Sequence, residues 1–133
     1  MKIVTALSRT LVRATGLIQV VLGLLLWIGI ERDLVAIHVV VGFVLVFGLW
    51  TLAVAAARSG VGAGLVVVAL LWGLLVPLAG LVQDRVLPGD IHPAVQLLHL
   101  LVGLGAIGVA EVVVDAIERR PSPWSGWSPR GPV

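Results

Sequence analysis

Residues 34–57 read LVAIHVVVGFVLVFGLWTLAVAAA, 24 positions without an Asp, Glu, Lys or Arg. A helix of about 20 residues, rising about 1.5 Å per residue, crosses the roughly 30 Å hydrocarbon core of a bilayer. Three more stretches have the same character: 14–30 with 17 uncharged residues, 59–83 with 25 and 91–110 with 20. The first extends towards the N-terminus because Arg9 and Arg13 can snorkel, and the last continues past Glu111 to Ile117. None alternates apolar and polar residues over about ten positions, as barrel strands do. The sequence therefore predicts an all-α integral membrane protein with spans at about 10–30, 34–57, 61–83 and 92–117. The connections 31–33, 58–60 and 84–90 are short, so neighbouring spans pack antiparallel. The expected architecture is an antiparallel four-helix bundle over 1–118, built from two similar helical hairpins, with a tail at 119–133.

The totals agree. Of the 133 residues 59% are apolar and 12% charged, with a mean hydropathy of +1.14. A soluble domain has roughly 45–50% apolar and about 25% charged residues. Too few charges remain to cover a water-facing surface, which excludes an ordinary soluble enzyme and a disordered chain. The net charge of +2 contains no basic run or nucleic-acid-reading motif, so no nucleic-acid partner is expected. Zero Cys excludes disulfides, thiolate metal sites, iron–sulfur clusters and covalent c-type haem attachment.

Lys2, Arg9, Arg13, Arg58, Arg119, Arg120 and Arg130 fall on one side of the four spans, and Arg32 and Arg85 on the other. The positive-inside rule then puts both termini in the cytoplasm, in a bacterial-type plasma membrane. An apolar run follows Lys2, Arg9 and Arg13 without an Ala-x-Ala type cleavage site, so the first span is expected to be retained. Trp27 suits the outer interface. The Pro-, Ser- and Gly-rich tail, with Trp124 and Trp127, is expected to be a non-helical cytoplasmic segment resting at the headgroups.

The two hairpins share local sequence. Gly16-Leu-Ile-Gln19 and His38-Val-Val-Val-Gly42 in the first match Gly80-Leu-Val-Gln83 and His99-Leu-Leu-Val-Gly103 in the second. A histidine inside a span needs a partner. His38 lies about 6 Å and His99 about 12 Å below the outer end of their spans. Both spans run inward, so the imidazoles share the outer half of the bundle on diagonally opposed helices. Two imidazoles facing each other across a bundle can serve as the axial ligands of one haem iron. Gly42 and Gly103 follow their histidines at i+4, on the same face, where a missing side chain admits a macrocycle. Haem propionates favour cations at the interface, and Arg32 and Arg85 are the cations on that side. His92, seven residues before His99, is placed to bond a propionate or act as a spare ligand. Gln19, in mid-span, can donate to a haem edge, a histidine or a quinone, or join helices. The competing reading makes His38 and His99 interhelical hydrogen-bond glue.

The paired His-x3-Gly motifs on four spans resemble the small four-helix membrane cytochromes b, the cytochrome b561-like group, over roughly residues 10–117. The resemblance implies core histidines holding b-type haem, with His38 and His99 as metal ligands. It also implies electron transfer, with a quinol or a redox partner protein, rather than conversion of a substrate. Members with two haems use four ligating histidines; three histidines in this chain correspond to one haem b per chain. A single haem in the outer half leaves the inner half uncrossed, so transmembrane transfer calls for a partner, a homodimer or a second cofactor. The alternative function is a non-catalytic membrane subunit, or a small transporter or channel using Glu111 and Asp115.

Four further expectations concern the remaining polar and special residues. Arg9 and Arg13 should form an ion-pair ladder with Glu111 and Asp115, each pair being spaced i, i+4. Trp50 and Trp72 are expected to be lipid-facing or bundle-filling side chains, with packing on a macrocycle as the alternative. Pro77 should kink the third span. Asp90 should cap the fourth helix ahead of Pro93.

Overall fold

The computed structural model describes residues 2–30 and 33–120. The expectations for Arg32 and for the tail with Trp124 and Trp127 lie outside them. Among the described residues the chain is helical and has no strand. Helix α1 spans Lys2–Trp27, α2 Leu34–Arg58, α3 Ala63–Val82 and α4 His92–Glu118, with a 3-10 turn at Gln83–Arg85 between α3 and α4. All four helices are long and apolar enough to cross a membrane. Helix α1 begins eight residues earlier than the expected 10, because its first turns bury a periodic face of their own. Thr5, Ser8, Val12 and Thr15 recur every three or four residues and point inward, with Gly16 beside the last, while Ile3, Leu7 and Leu17 point out.

Glycines in the left-handed region end the first two helices. Beyond α2, Gly60 has φ +73°, its N–H donates to the Ala57 carbonyl, and the Val61 N–H donates to that of Ala56. Gly29 at φ +77° repeats the pattern, with Gly29 bonding to Leu26 and Ile30 to Leu25. These paired bonds are Schellman closures, which need a residue free of Cβ strain at positive φ. The start of α4 differs from expectation. Ile91, not Asp90, holds the N-cap position, and no side chain caps the helix. A turn at Gly89 lets the His92 N–H donate to the Gly89 carbonyl at 3.0 Å, while Pro93 sits in the first turn where its missing N–H is harmless.

Close contacts fix the register. Gly23 faces His38, Gly42 faces Gln19, Gly16 faces Leu45 and Gly48 faces Val12, so numbers fall along α2 as they rise along α1. Trp50 lies over Gly73 of α3, and its indole N–H donates to the Leu70 carbonyl at 3.1 Å. Trp72 lies over Gly105 of α4 and donates to the Val102 carbonyl at 2.9 Å. In both pairs the glycine admits the indole, and the accepting carbonyl lies three residues before it. Trp72 therefore fills the bundle, while Trp50, 40% exposed, packs on α3 and also faces outward. Helix α2 touches all three others, including α4 across the diagonal, whereas α1 and α3 do not approach each other.

The two ends of the bundle are packed differently. The fully buried side chains Val12, Leu49, Leu52, Val113 and Val114 collect at the end that holds the α2–α3 connection. Towards the other end the same four helices separate around a cavity. Away from the charged turns of α1 and α4, the outward faces are apolar, with Phe47 at 68% and Leu71 at 61% exposure.

Candidate functional site

The cavity has a volume of about 350 Å³ and is lined by all four helices and the 3-10 turn. Leu34 opens α2, so His38 enters it one turn down; His99 enters from α4 two turns below His92. Each imidazole rests against a glycine of the preceding helix. A Cβ on Gly23 would come within 3.6 Å of His38, and one on Gly80 within 3.2 Å of His99. The two ring centroids are 6.2 Å apart with planes at 53°. Helices two and four are the diagonal pair, and their approach across the bundle brings the rings together.

A metal–imidazole bond is about 2 Å long, so two in line plus the two ring half-widths set the centroids roughly 6 Å apart. The observed separation matches that requirement. The Nδ1 atoms of His38 and His99 are both buried without a hydrogen-bond partner, as is that of His92 outside the cavity. Neither ring makes a hydrogen bond through Nδ1 to another helix in this arrangement. Orphaned buried nitrogens are rare in folded proteins. The donor set and its spacing fit a group ligated from both sides.

The other expected site residues fall in three places. Gly103 lines the cavity with nothing within 4 Å of a notional Cβ. Gly42 also lines it, but the Gln19 Nε2 covers the position that a Cβ would take. Gln19 reaches the cavity from α1, and its Oε1 is buried and unpartnered. His92 and Arg85 are not among the lining residues. Arg85 ends the 3-10 turn, whose neighbours point about 120° apart; Gln83 and Asp84 face the cavity instead. No Lys or Arg lines the cavity among the described residues. Nor do three or more His, Cys, Asp or Glu gather there or elsewhere among them as a metal-holding group.

Sequence reasoning missed Gly23, Gln83, Asp84 and Gln96 as cavity residues. Gln96 had a signal, since it precedes His99 by three and shares its face. Gly23 had none. The motif match pairs Gly16 with Gly80, but in space Gly16 packs on Ile107, and Gly23 does for His38 what Gly80 does for His99.

At the opposite end Glu111 takes both arginines of α1. Arg9 Nη2 lies 2.6 Å from its Oε2, and Arg13 Nε 2.6 Å from its Oε1. The expected ladder is thereby corrected. Asp115 pairs with Arg119 of its own helix at 3.6 Å, and Arg9 extends to Glu118 at 3.9 Å. Glu111 accepts from both arginines of α1, and Asp115 has Arg119 four residues along its own helix.

No family model, curated protein or solved structure matches this chain.

Proposed function

We propose that this chain is an integral membrane b-type haem protein that transfers electrons, with His38 and His99 as the two axial ligands of one haem. The observation that carries the reading is the pair of imidazoles from diagonal helices, 6.2 Å apart and lining one cavity. The exposed apolar faces of all four helices support a bilayer as the surroundings, because patches of this extent are foreign to soluble monomers. The opposed numbering of facing residues supports two antiparallel hairpins, and the charge distribution supports cytoplasmic termini in a bacterial-type plasma membrane.

Haem b, when bound, supplies reversible one-electron exchange at its iron. The chain's own residues do the rest. His38 and His99 hold the group from α2 and α4. Gly23 and Gly80 let each imidazole lie against its neighbouring helix, and Gly103 leaves room beside His99. The apolar walls exclude water. The cavity lies towards the end with the α1–α2 and α3–α4 connections, so exchange with a quinol or a redox partner protein belongs on that face. Passage through the tightly packed remainder would need a partner protein or a second copy.

The test is an absorption spectrum and a haem-to-protein ratio of the purified protein. The expected result is a Soret band of bis-His type at one haem per chain, lost in both His38→Ala and His99→Ala. A colourless protein that also refuses added haem overturns the reading, and would favour a non-catalytic subunit or small transporter.

A further inference from the structure

The cavity contains two kinds of unmatched polar atom, and they complement each other. Gln19 Oε1 is buried and has no donor. His38 Nδ1 is buried and has no partner. Both residues line the same cavity, from the adjacent helices α1 and α2. Their placement is set by neighbouring glycines. Gln19 directs its Nε2 at Gly42, one helical turn beyond His38 on the same face of α2, while Gly23, one turn beyond Gln19 on α1, lies against the His38 ring. The Gln19 Nε2 lies beside Gly42, and the carbonyl Oε1 of the same amide has no donor. On the His99 side the cavity-lining amides are Gln96, three residues earlier on the same helix, and Gln83 of the 3-10 turn.

We propose that Gln19 is a positioning residue for His38: its amide carbonyl accepts the Nδ1–H of the imidazole and so presents Nε2, with its lone pair, to the centre of the cavity. The inference rests on the haem reading for its consequence but not for its geometry. A neutral imidazole carries one proton, and the hydrogen bond made by one nitrogen decides which nitrogen is left to ligate. Such outer partners also raise ligand basicity and orient the ring. The bond would remove two orphaned atoms from the interior.

The test uses the full chain in detergent or nanodiscs with ¹⁵N-labelled histidine. Nitrogen chemical shifts of His38 before haem is added should report the Nδ1–H form as the major tautomer. In Gln19→Leu the Nε2–H form should become the major one, and Gln19→Glu should restore Nδ1–H. With haem bound, Gln19→Leu should raise the midpoint potential relative to wild type, and Gln19→Glu should lower it. A wild-type His38 protonated at Nε2 overturns the proposal, and so does a tautomer ratio and potential indifferent to Gln19. Because the tautomer is read on the wild-type protein without haem, misfolding of a variant does not decide the outcome. Failure to bind haem with the expected tautomer present would overturn the functional reading and leave this inference standing.

Discussion

Single hydrogen atoms in place of side chains shape this protein at Gly80 and Gly73. The His99 ring occupies the space beside Gly80, where a Cβ would approach its Cε1 to 3.2 Å. Gly80→Leu should therefore displace the ring. Overpacking costs about 1–3 kcal/mol, and each 1.4 kcal/mol is about tenfold in affinity, so haem titration should show binding about tenfold weaker or worse. Gly108→Leu, at a position with nothing within 4 Å of a notional Cβ, is the matched control and should titrate like wild type. At Gly73 an added methyl group meets the Trp50 indole. Gly73→Ala should lower stability by about 1–3 kcal/mol and Trp50→Phe, which loses the bond to the Leu70 carbonyl, by about 0.5–1.5 kcal/mol. Reversible unfolding in mixed micelles measures both, and a neutral Gly73→Ala would show that the indole has somewhere else to go.

Between elements, polar bonds fasten the first and last helices together far from the cavity. Glu111 receives Arg9 and Arg13 at once, while Glu118 stands 3.9 Å from Arg9 at the exposed edge. Charge-assisted bonds that share one carboxylate hold two side chains of α1 at fixed height on α4. Glu111→Gln removes that charge and leaves two arginines facing each other. Hydrogen exchange should then quicken in α1 around residues 5–15, while a haem-bound spectrum stays as in wild type because the cavity lies at the other end. Glu118→Gln should leave both unchanged. A loss of pigment in Glu111→Gln would mean that the two ends of the bundle are coupled.

For the molecule as a whole, the division into a packed end and an open end gives topology a consequence. The absence of cysteine lets single reporters be introduced without background. Cysteine at Pro88, in the connection beside the cavity, should react with a membrane-impermeant maleimide on intact cells. Cysteine at Gly60, beside the packed end, should react only after permeabilisation. The reverse pattern would place the cavity on the cytoplasmic side and exchange the donors and acceptors available to it.

Helix number and placement were legible because a bilayer demands long uncharged runs, and 34–57 declares one without ambiguity. The histidine pair was legible for the related reason that ionisable groups are scarce in such runs and stand out. Which face each helix turns inward was not legible, since core and outer positions are equally apolar: Leu49 is fully buried and Phe47, two residues earlier, is exposed. Nothing local says that Trp72 would lie over Gly105, that Gln19 would cover Gly42, or that Asp84 and not Arg85 would face the cavity. The sequence by itself determined four apolar helices and the chemistry they carry. Only tertiary packing decided that α2 and α4 approach across the diagonal and leave two imidazoles 6.2 Å apart, because helix rotation and crossing are set by the fit of side chains on several helices together.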